Sequence, residues 1–426
     1  MLFAGALSAA SLPVHETGFT AGPNGFPDGW VVWSPRPEIA PRTFLDPQRY
    51  RTRPSALAIS GNSNAAEYGG WERAVPGIEA GAWYRFTAYY RSTGVPYESL
   101  QILPRVDWRA EKSRRAGRPD FVFKSVRDGE WTRVTADVQA PAKATSALLQ
   151  LQLFNAPQGT VWWDDVSFER IAVPAPRPVT VATMNLRPEN TGSAQESVSR
   201  FVAAIERNVP PKTDVILLPE GITVVGTGKK YADVAETIPG PTTERLSRVA
   251  KQHSSYVIAG IYEREGHTIY NTAILMDREG RLVGKYRKVY VPIEEIEGGL
   301  TPGNQYPVFR TDFGTIGLMI CYDIFFPDPA RALARQGAEV LFMPIWGGDE
   351  TLAKARTIDN KVFLVTSGYD HPTYIMDPDG TRIASAPERG TAAVATIDLA
   401  HRYVNDGLGD MRARRMKEMR VDVRVP

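Results

Sequence analysis

Val173-Pro174-Ala175-Pro176-Arg177-Pro178 interrupts this sequence. Proline fixes φ and lacks a backbone donor, so three in six residues make a stiff, extended linker. The grammar of the chain changes across it. On the N-terminal side, Trp83, Arg85, Thr87 and Tyr89 alternate with Tyr84, Phe86, Ala88 and Tyr90. Leu149, Leu151 and Leu153 alternate with Gln150 and Gln152, the period of a strand with one buried face. Asp128-Gly129 is a turn ahead of Trp131-Thr132-Arg133-Val134. No good helix is predicted before Arg170, and this half reads as an antiparallel β-sandwich.

Beyond the linker, strands and helices alternate. Thr180–Met184 reads as a strand, and Val198, Phe201, Val202 and Ile205 fall on one face of a helix. Asp214-Val215-Ile216-Leu217-Leu218 is a near-continuous apolar strand, as in a sheet covered on both faces. Pro241 and Thr242 open a second helix, and Tyr256–Ile261 is another strand. Thr272–Met276 and Leu282–Tyr286 form a hairpin around Asp277-Arg278-Glu279-Gly280. Thr315–Ile320, Val340–Met343 and Phe363–Val365 are further strands, the first two separated by a helix over Pro329–Gln336. The pattern predicts an α/β domain with a mixed sheet or a pair of sheets.

The length of 426 residues suits two or three domains with real cores. Fifty Lys+Arg against 48 Asp+Glu leaves +2, without the basic footprint of a nucleic-acid binder. No apolar run reaches the ~18 residues of a membrane span. The opening Met1–Leu12, MLFAGALSAASL, has the apolar part and small-residue region of a secretory signal but no basic n-region. A truncated export signal, implying a periplasmic or extracellular enzyme, is favoured over a greasy first strand of a cytoplasmic one. A single cysteine excludes an intrachain disulfide and a Cys-held cluster.

Reactive groups in open α/β sheets gather at the carboxyl ends of strands. Two residues stand there: Glu220 after Leu217-Leu218-Pro219, and Cys321 after Met319-Ile320. Each has a plain alternative, a capping or salt-bridging glutamate and a small buried hydrophobe. A nucleophilic thiol needs a base, because its free pKa of about 8.5 leaves little thiolate at neutral pH. Of His15, His253, His267, His371 and His401, only His371 is placed to approach Cys321. No His or carboxylate cluster has metal-ligand spacing.

Three ordered motifs resemble the carbon–nitrogen hydrolase (nitrilase) superfamily. They are Leu217-Leu218-Pro219-Glu220-Gly221, Gly284-Lys285-Tyr286-Arg287-Lys288-Val289, and Met319-Ile320-Cys321-Tyr322-Asp323 with Phe326-Pro327 beyond. Ile238-Pro239-Gly240-Pro241, Tyr270-Asn271-Thr272-Ala273, Thr301-Pro302-Gly303 and Gly337-Ala338-Glu339-Val340 also match. The resemblance implies an α-β-β-α sandwich that pairs as a homodimer or higher homo-oligomer. It implies Glu220 as general base, Lys288 as electrostatic partner and Cys321 as nucleophile, with no cofactor and no metal. The backbone N–H of Tyr322 would assist at the oxyanion. Of Glu294 and Glu295, the offset from Lys288 favours Glu295 as the supporting carboxylate. Where relatives often carry His, two residues after the lysine, this chain has Tyr290. Trp346 follows a strand end in the region that lines the pocket. The activity implied is hydrolysis of a small-molecule amide through a Cys thioester, with nitrile hydrolysis or acyl transfer as alternatives on the same triad.

The front half resembles a galactose-binding-like, carbohydrate-binding jelly roll, on Gly159–Phe168 and Trp83-Tyr84-Arg85-Phe86. That implies a possible glycan partner, with Trp71 and Trp108 as candidate stacking surfaces, and Asp164 and Asp165 as calcium ligands or turn residues. A non-catalytic glycan-binding protein with a vestigial hydrolase domain is the alternative of a different class. The expected organisation is a signal-like segment 1–12, sandwich 13–172, linker 173–178, catalytic domain 179–400 and arm 401–426. Its Arg-rich end would wrap a partner subunit or lie on the surface.

Overall fold

The computed structural model describes residues 13–370, 372–405 and 407–423. The signal-like Met1–Leu12 and His371 lie outside them. The chain divides into two units, residues up to 175 together with those from 402 onward, and residues 176–401.

The first unit holds two antiparallel sheets. One runs Arg42–Asp46, Ala56–Ser60, Thr160–Ile171, Trp83–Thr93, Trp131–Gln139, Lys124–Asp128, with Val14–Glu16 also on Thr160–Ile171. The other runs Trp30–Trp33, Tyr68–Pro76, Ser146–Phe154, Ile102–Arg109, Asp120–Phe121. Tyr84, Phe86, Ala88 and Tyr90 of the first meet Leu149, Leu151 and Leu153 of the second in one core. The alternation along Ser146–Phe154 predicts one buried face, but Gln150 and Gln152 on the other face are buried too. Gln150 is accommodated there by hydrogen bonds with Glu72 and Arg105.

Trp71 and Trp108 are core residues, each 0% exposed, and so cannot stack on a sugar. Their indole N–H groups donate to Ala58 O at 3.1 Å and Asp120 Oδ2 at 2.7 Å. Asp164 accepts backbone N–H groups from Gly18, Arg51, Thr52 and Asp165, at 2.7–3.1 Å. The Thr160–Ile171 strand shifts register between Asp164 and Ser167, so this carboxylate organises a bulge. The C-terminal helix Met411–Glu418 belongs to this unit, and its buried Lys417 donates to Ile102 O at 2.9 Å.

The second unit holds two six-stranded mixed sheets. In the first, Pro178–Asn185, Val215–Leu217 and Tyr256–Glu265 run parallel. Thr391–Asp398 flanks them on one side, and the hairpin of Thr268–Met276 and Leu282–Arg287 on the other, all antiparallel. In the second, Thr315–Leu318, Val340–Pro344 and Phe363–Ser367 run parallel between antiparallel outer strands. The sheets face each other, Pro178–Asn185 against Phe363–Ser367. Thr183 Oγ1 donates to Thr366 O at 2.6 Å and Ser367 Oγ to Met184 O at 2.7 Å across the interface. Helices Ala194–Asn208 and Pro241–His253 cover one outer face, Asp328–Arg335 and Glu350–Asn360 the other, consistent with α-β-β-α layering. Among the described residues no helix is long and apolar enough to cross a membrane.

Candidate active site

Glu220 follows the strand Val215–Leu217, whose backbone continues to pair past its end. Leu218 N–H donates to Ile258 O at 2.8 Å, Gly260 N–H to Pro219 O at 3.0 Å and Ile222 N–H to Gly260 O at 2.9 Å. This close approach needs a glycine, because a Cβ on Gly260 would stand 2.6 Å from Glu220 Cα. Lys288 extends the strand Leu282–Arg287. Its N–H donates to Asn271 O at 2.9 Å, and its carbonyl accepts from Gly303 N–H at 2.7 Å. Gly303 is required for the same reason, since a Cβ there would lie 2.3 Å from Arg287 O.

Cys321 opens the 3₁₀ turn Cys321–Phe325 with φ of 41°, in the left-handed region. A non-glycine residue there costs about 1–3 kcal/mol and persists only where its surroundings hold it. Asp323 accepts the Ile320 N–H at 2.8 Å on one side of the turn. On the other, the buried guanidinium of Arg356 donates to Ile324 O at 3.2 and 3.0 Å. Tyr322 is the second residue of this turn, so its N–H has no intrahelical acceptor.

The side chains converge. Lys288 Nζ donates to Glu220 Oε1 at 3.0 Å and to Glu295 Oε1 at 2.7 Å. Glu220 and Lys288 are each 1% exposed. Asn271 Nδ2 donates to Glu220 Oε1 at 2.7 Å and Glu295 Oε2 at 3.3 Å. Two donors thus occupy one oxygen of Glu220, and among the described residues its buried Oε2 has no hydrogen-bond partner. Burial opposes the charge on Lys288, but Glu220, Cys321 and Glu295 outweigh it and hold the ammonium above its ordinary range. Burial and the charge of Glu220 push the Cys321 thiol up to about 12, against the opposing pull of Lys288. Burial also raises Glu295, more than Lys288 lowers it.

Glu294, beside Glu295 on the short helix Ile293–Glu297, is exposed. Cys321 Sγ lies 3.5 Å from Gly347 O, next to Trp346. Trp346 is 40% exposed and meets Tyr369 edge-on at 4.8 Å, and the Tyr369 hydroxyl donates to Glu220 O. The Tyr322 ring packs against Phe325 and Phe326. Tyr290 lies flat on Phe326 at 3.7 Å and donates to Asp328 Oδ2 at 3.0 Å.

Two further polar residues of the site carry no role in the sequence analysis. Asn271 lies inside the matching Tyr270-Asn271-Thr272-Ala273, and its signal is a side-chain amide buried within the strand Thr268–Met276. Asp323, two residues past the cysteine, is fully buried. Chemically, the arrangement offers a thiol whose pKa burial and Glu220 raise, a buried carboxylate oxygen without a hydrogen-bond partner among the described residues, and a cation held between two carboxylates.

Residues 179–403 match the family model described as carbon-nitrogen hydrolase. The omega-amidase NIT2 of Xenopus tropicalis is 31% identical over 236 residues, 48% of this chain and 84% of that protein. Hydrolase C26A3.11 of Schizosaccharomyces pombe is 33% identical over 219 residues, 44% of this chain and 66% of that protein. Among solved structures, Nit3 of Saccharomyces cerevisiae is 24% identical with a TM-score of 0.47, covering 52% of this chain and 90% of its own.

Proposed function

The chain belongs to the carbon–nitrogen hydrolase family and is an enzyme of its amidase type, and from that premise we propose that it hydrolyses a small-molecule amide through a thioester on Cys321. The observation that carries this reading is the unpartnered Oε2 of Glu220, buried beside a thiol whose pKa that same carboxylate raises. As Cys321 sulfur attacks the amide carbonyl, its proton passes to Glu220 Oε2. Negative charge develops on the carbonyl oxygen, where Lys288 Nζ and the Tyr322 N–H stabilise it. Glu220 gives the proton to the nitrogen, the C–N bond breaks and ammonia or an amine leaves. Water then attacks the thioester with Glu220 again as base, releasing the acid and restoring the thiol. Glu295 and Asn271 hold Lys288 and Glu220 in place, and Trp346 walls the pocket and favours small or flat acyl groups.

The test is a panel of small aliphatic amides, N-carbamoyl compounds and nitriles. The wild type is expected to release acid from an amide and to show a substrate-derived mass increment on Cys321, with both lost in Cys321→Ala. Turnover by Cys321→Ala would overturn the reading, and turnover of nitriles alone would move the enzyme to the nitrile-hydrolysing reading.

We also propose that the first unit binds a glycan, by surfaces other than Trp71 and Trp108. What supports this is a row of aromatic side chains, Trp33–Tyr68 and Tyr68–Phe154, each meeting edge-on at 5.5 Å. Phe154 also lines a cleft of about 620 Å³ with Tyr97, Gln101, Asn155, Gln158 and Arg420. Aromatic faces beside amide and guanidinium groups suit a ligand with apolar C–H faces and many hydroxyls. In native gels cast with soluble polysaccharides, the full chain should be retarded by at least one of them, and Tyr97→Ala should run unretarded. Equal mobility of the wild type in every polysaccharide gel would remove this reading and leave the amidase reading untouched.

A further inference from the structure

We propose that Asp323 is a positioning residue that locks the nucleophile turn to the lysine loop through one buried carboxylate, an inference that rests on Cys321 and Lys288 acting as proposed above. Asp323 is 0% exposed, so neither oxygen can be satisfied by solvent. Its Oδ2 accepts the Ile320 N–H at 2.8 Å and the Tyr286 hydroxyl at 2.8 Å, and its Oδ1 accepts the Tyr290 N–H at 3.0 Å. The Tyr286 oxygen in turn accepts the Val289 N–H at 3.2 Å.

These partners fall into two groups. Ile320 immediately precedes the nucleophile and sets the entry to its left-handed turn. Tyr286, Val289 and Tyr290 bracket Lys288 on both sides. One carboxylate therefore fixes the backbone that carries the sulfur and the backbone that carries the ammonium in a single frame. Only an anion suits the position, because three donors converge on it and an ionised carboxylate accepts at both oxygens. An asparagine would keep the shape but turn an N–H₂ group toward donors. Asp323 does not touch the reacting atoms in the proposed chemistry, so its contribution reaches the reaction through Cys321 and Lys288. Burial pushes its carboxyl up to about 6, against the pull of its three hydrogen bonds and of Lys288.

The experiment compares Asp323→Asn, Tyr286→Phe and the double variant with the wild type on the amide it hydrolyses best, with melting temperatures measured in parallel. A misplacement of about 1 Å at a reacting group costs about 100-fold. Asp323→Asn is therefore expected to lose about 100-fold in kcat with KM within about threefold. Tyr286→Phe, which removes one donor, should lose about tenfold, and the double variant less than the product of the two, as coupled groups do. A role in stability alone would lower the melting temperature and leave kcat per folded molecule at the wild-type value. That outcome in Asp323→Asn, or in Tyr286→Phe should Asp323→Asn fail to fold, would overturn the proposal. Cys321→Ala, assayed alongside, keeps the two readings apart: turnover in that variant indicts the nucleophile, not the lock.

Discussion

Glu220→Gln is expected to lower kcat/KM for amide hydrolysis by about three to four orders of magnitude and to make the remaining activity climb with pH. The reason lies in the resting state of the nucleophile. With its thiol pushed up to about 12, Cys321 holds little thiolate at neutral pH. In the proposed mechanism the wild type does not depend on that fraction, because Glu220 Oε2 takes the proton as the sulfur attacks. Glutamine has the shape but no basicity, and a positioned general base contributes about 10²–10⁴-fold. The variant must then use preformed thiolate, whose population rises tenfold per pH unit until the thiol titrates. Loss of the Glu220 charge removes one of the causes that raise the thiol, so titration should complete below the wild-type value. Deacylation in the proposed mechanism needs the same base, so intact-mass measurement at high substrate should find the variant carrying the acyl group. A loss under tenfold, or a residual rate flat between pH 7 and 9, would show that the proton goes elsewhere.

How far the site was legible in the sequence differs from residue to residue. Glu220 and Cys321 stand out because each ends an apolar strand, where a polar group is costly unless it has work or a partner. Lys288 does not. In Lys285-Tyr286-Arg287-Lys288 three cations look alike, and only the resemblance singles out the last. In the fold Lys285 and Arg287 pair with Glu263, while Lys288 turns to the opposite side and is buried between two carboxylates. Strand parity makes that choice, and parity depends on which face the sheet covers. The same logic hides the fate of Trp71 and Trp108, since an indole suits either face of a strand.

The helix Glu350–Asn360 was missed for a different reason. Its buried residues Ala353, Arg356, Thr357 and Asn360 have helical spacing. Three of them are polar, so a count of apolar residues finds no stripe. Arg356 donates to Ile324 O in the turn that carries Cys321, so a polar contact stands where a hydrophobic pattern would otherwise stand. Gln150 and Gln152 mislead in the opposite direction, since polarity on alternate positions suggests a wet face that the fold covers.

Lys288→Met should abolish turnover and destabilise the protein, and the two effects should separate in a second variant. Lys288 Nζ lies 3.0 Å from Glu220 and 2.7 Å from Glu295, and the lysine and Glu220 are almost wholly buried. One cation between two carboxylates leaves the cluster at −1; without it the cluster stands at −2. Removing one partner of a buried ion pair costs about 3–5 kcal/mol, because the remaining charge stays desolvated. Proton uptake relieves part of this. Glu295 is already raised by burial, and deleting the cation that opposes that shift raises it further. A carboxyl raised in the folded state binds more protons than in the unfolded chain, so the stability deficit should shrink as pH falls and widen as pH rises through the folded-state pKa. Glu295→Gln in the Lys288→Met background removes one of the two opposed charges and should recover much of the melting temperature. It should recover none of the activity, because the oxyanion still lacks its cation, and a single such donor is worth about 10²–10³ in kcat. Thermal melts from pH 5 to 8 on the three proteins, with kcat on the same samples, decide the matter. A Lys288→Met variant as stable as the wild type would mean that the buried ion pairs of Lys288 carry no net stability. One that still turned over within tenfold of the wild type would place the oxyanion's cation elsewhere.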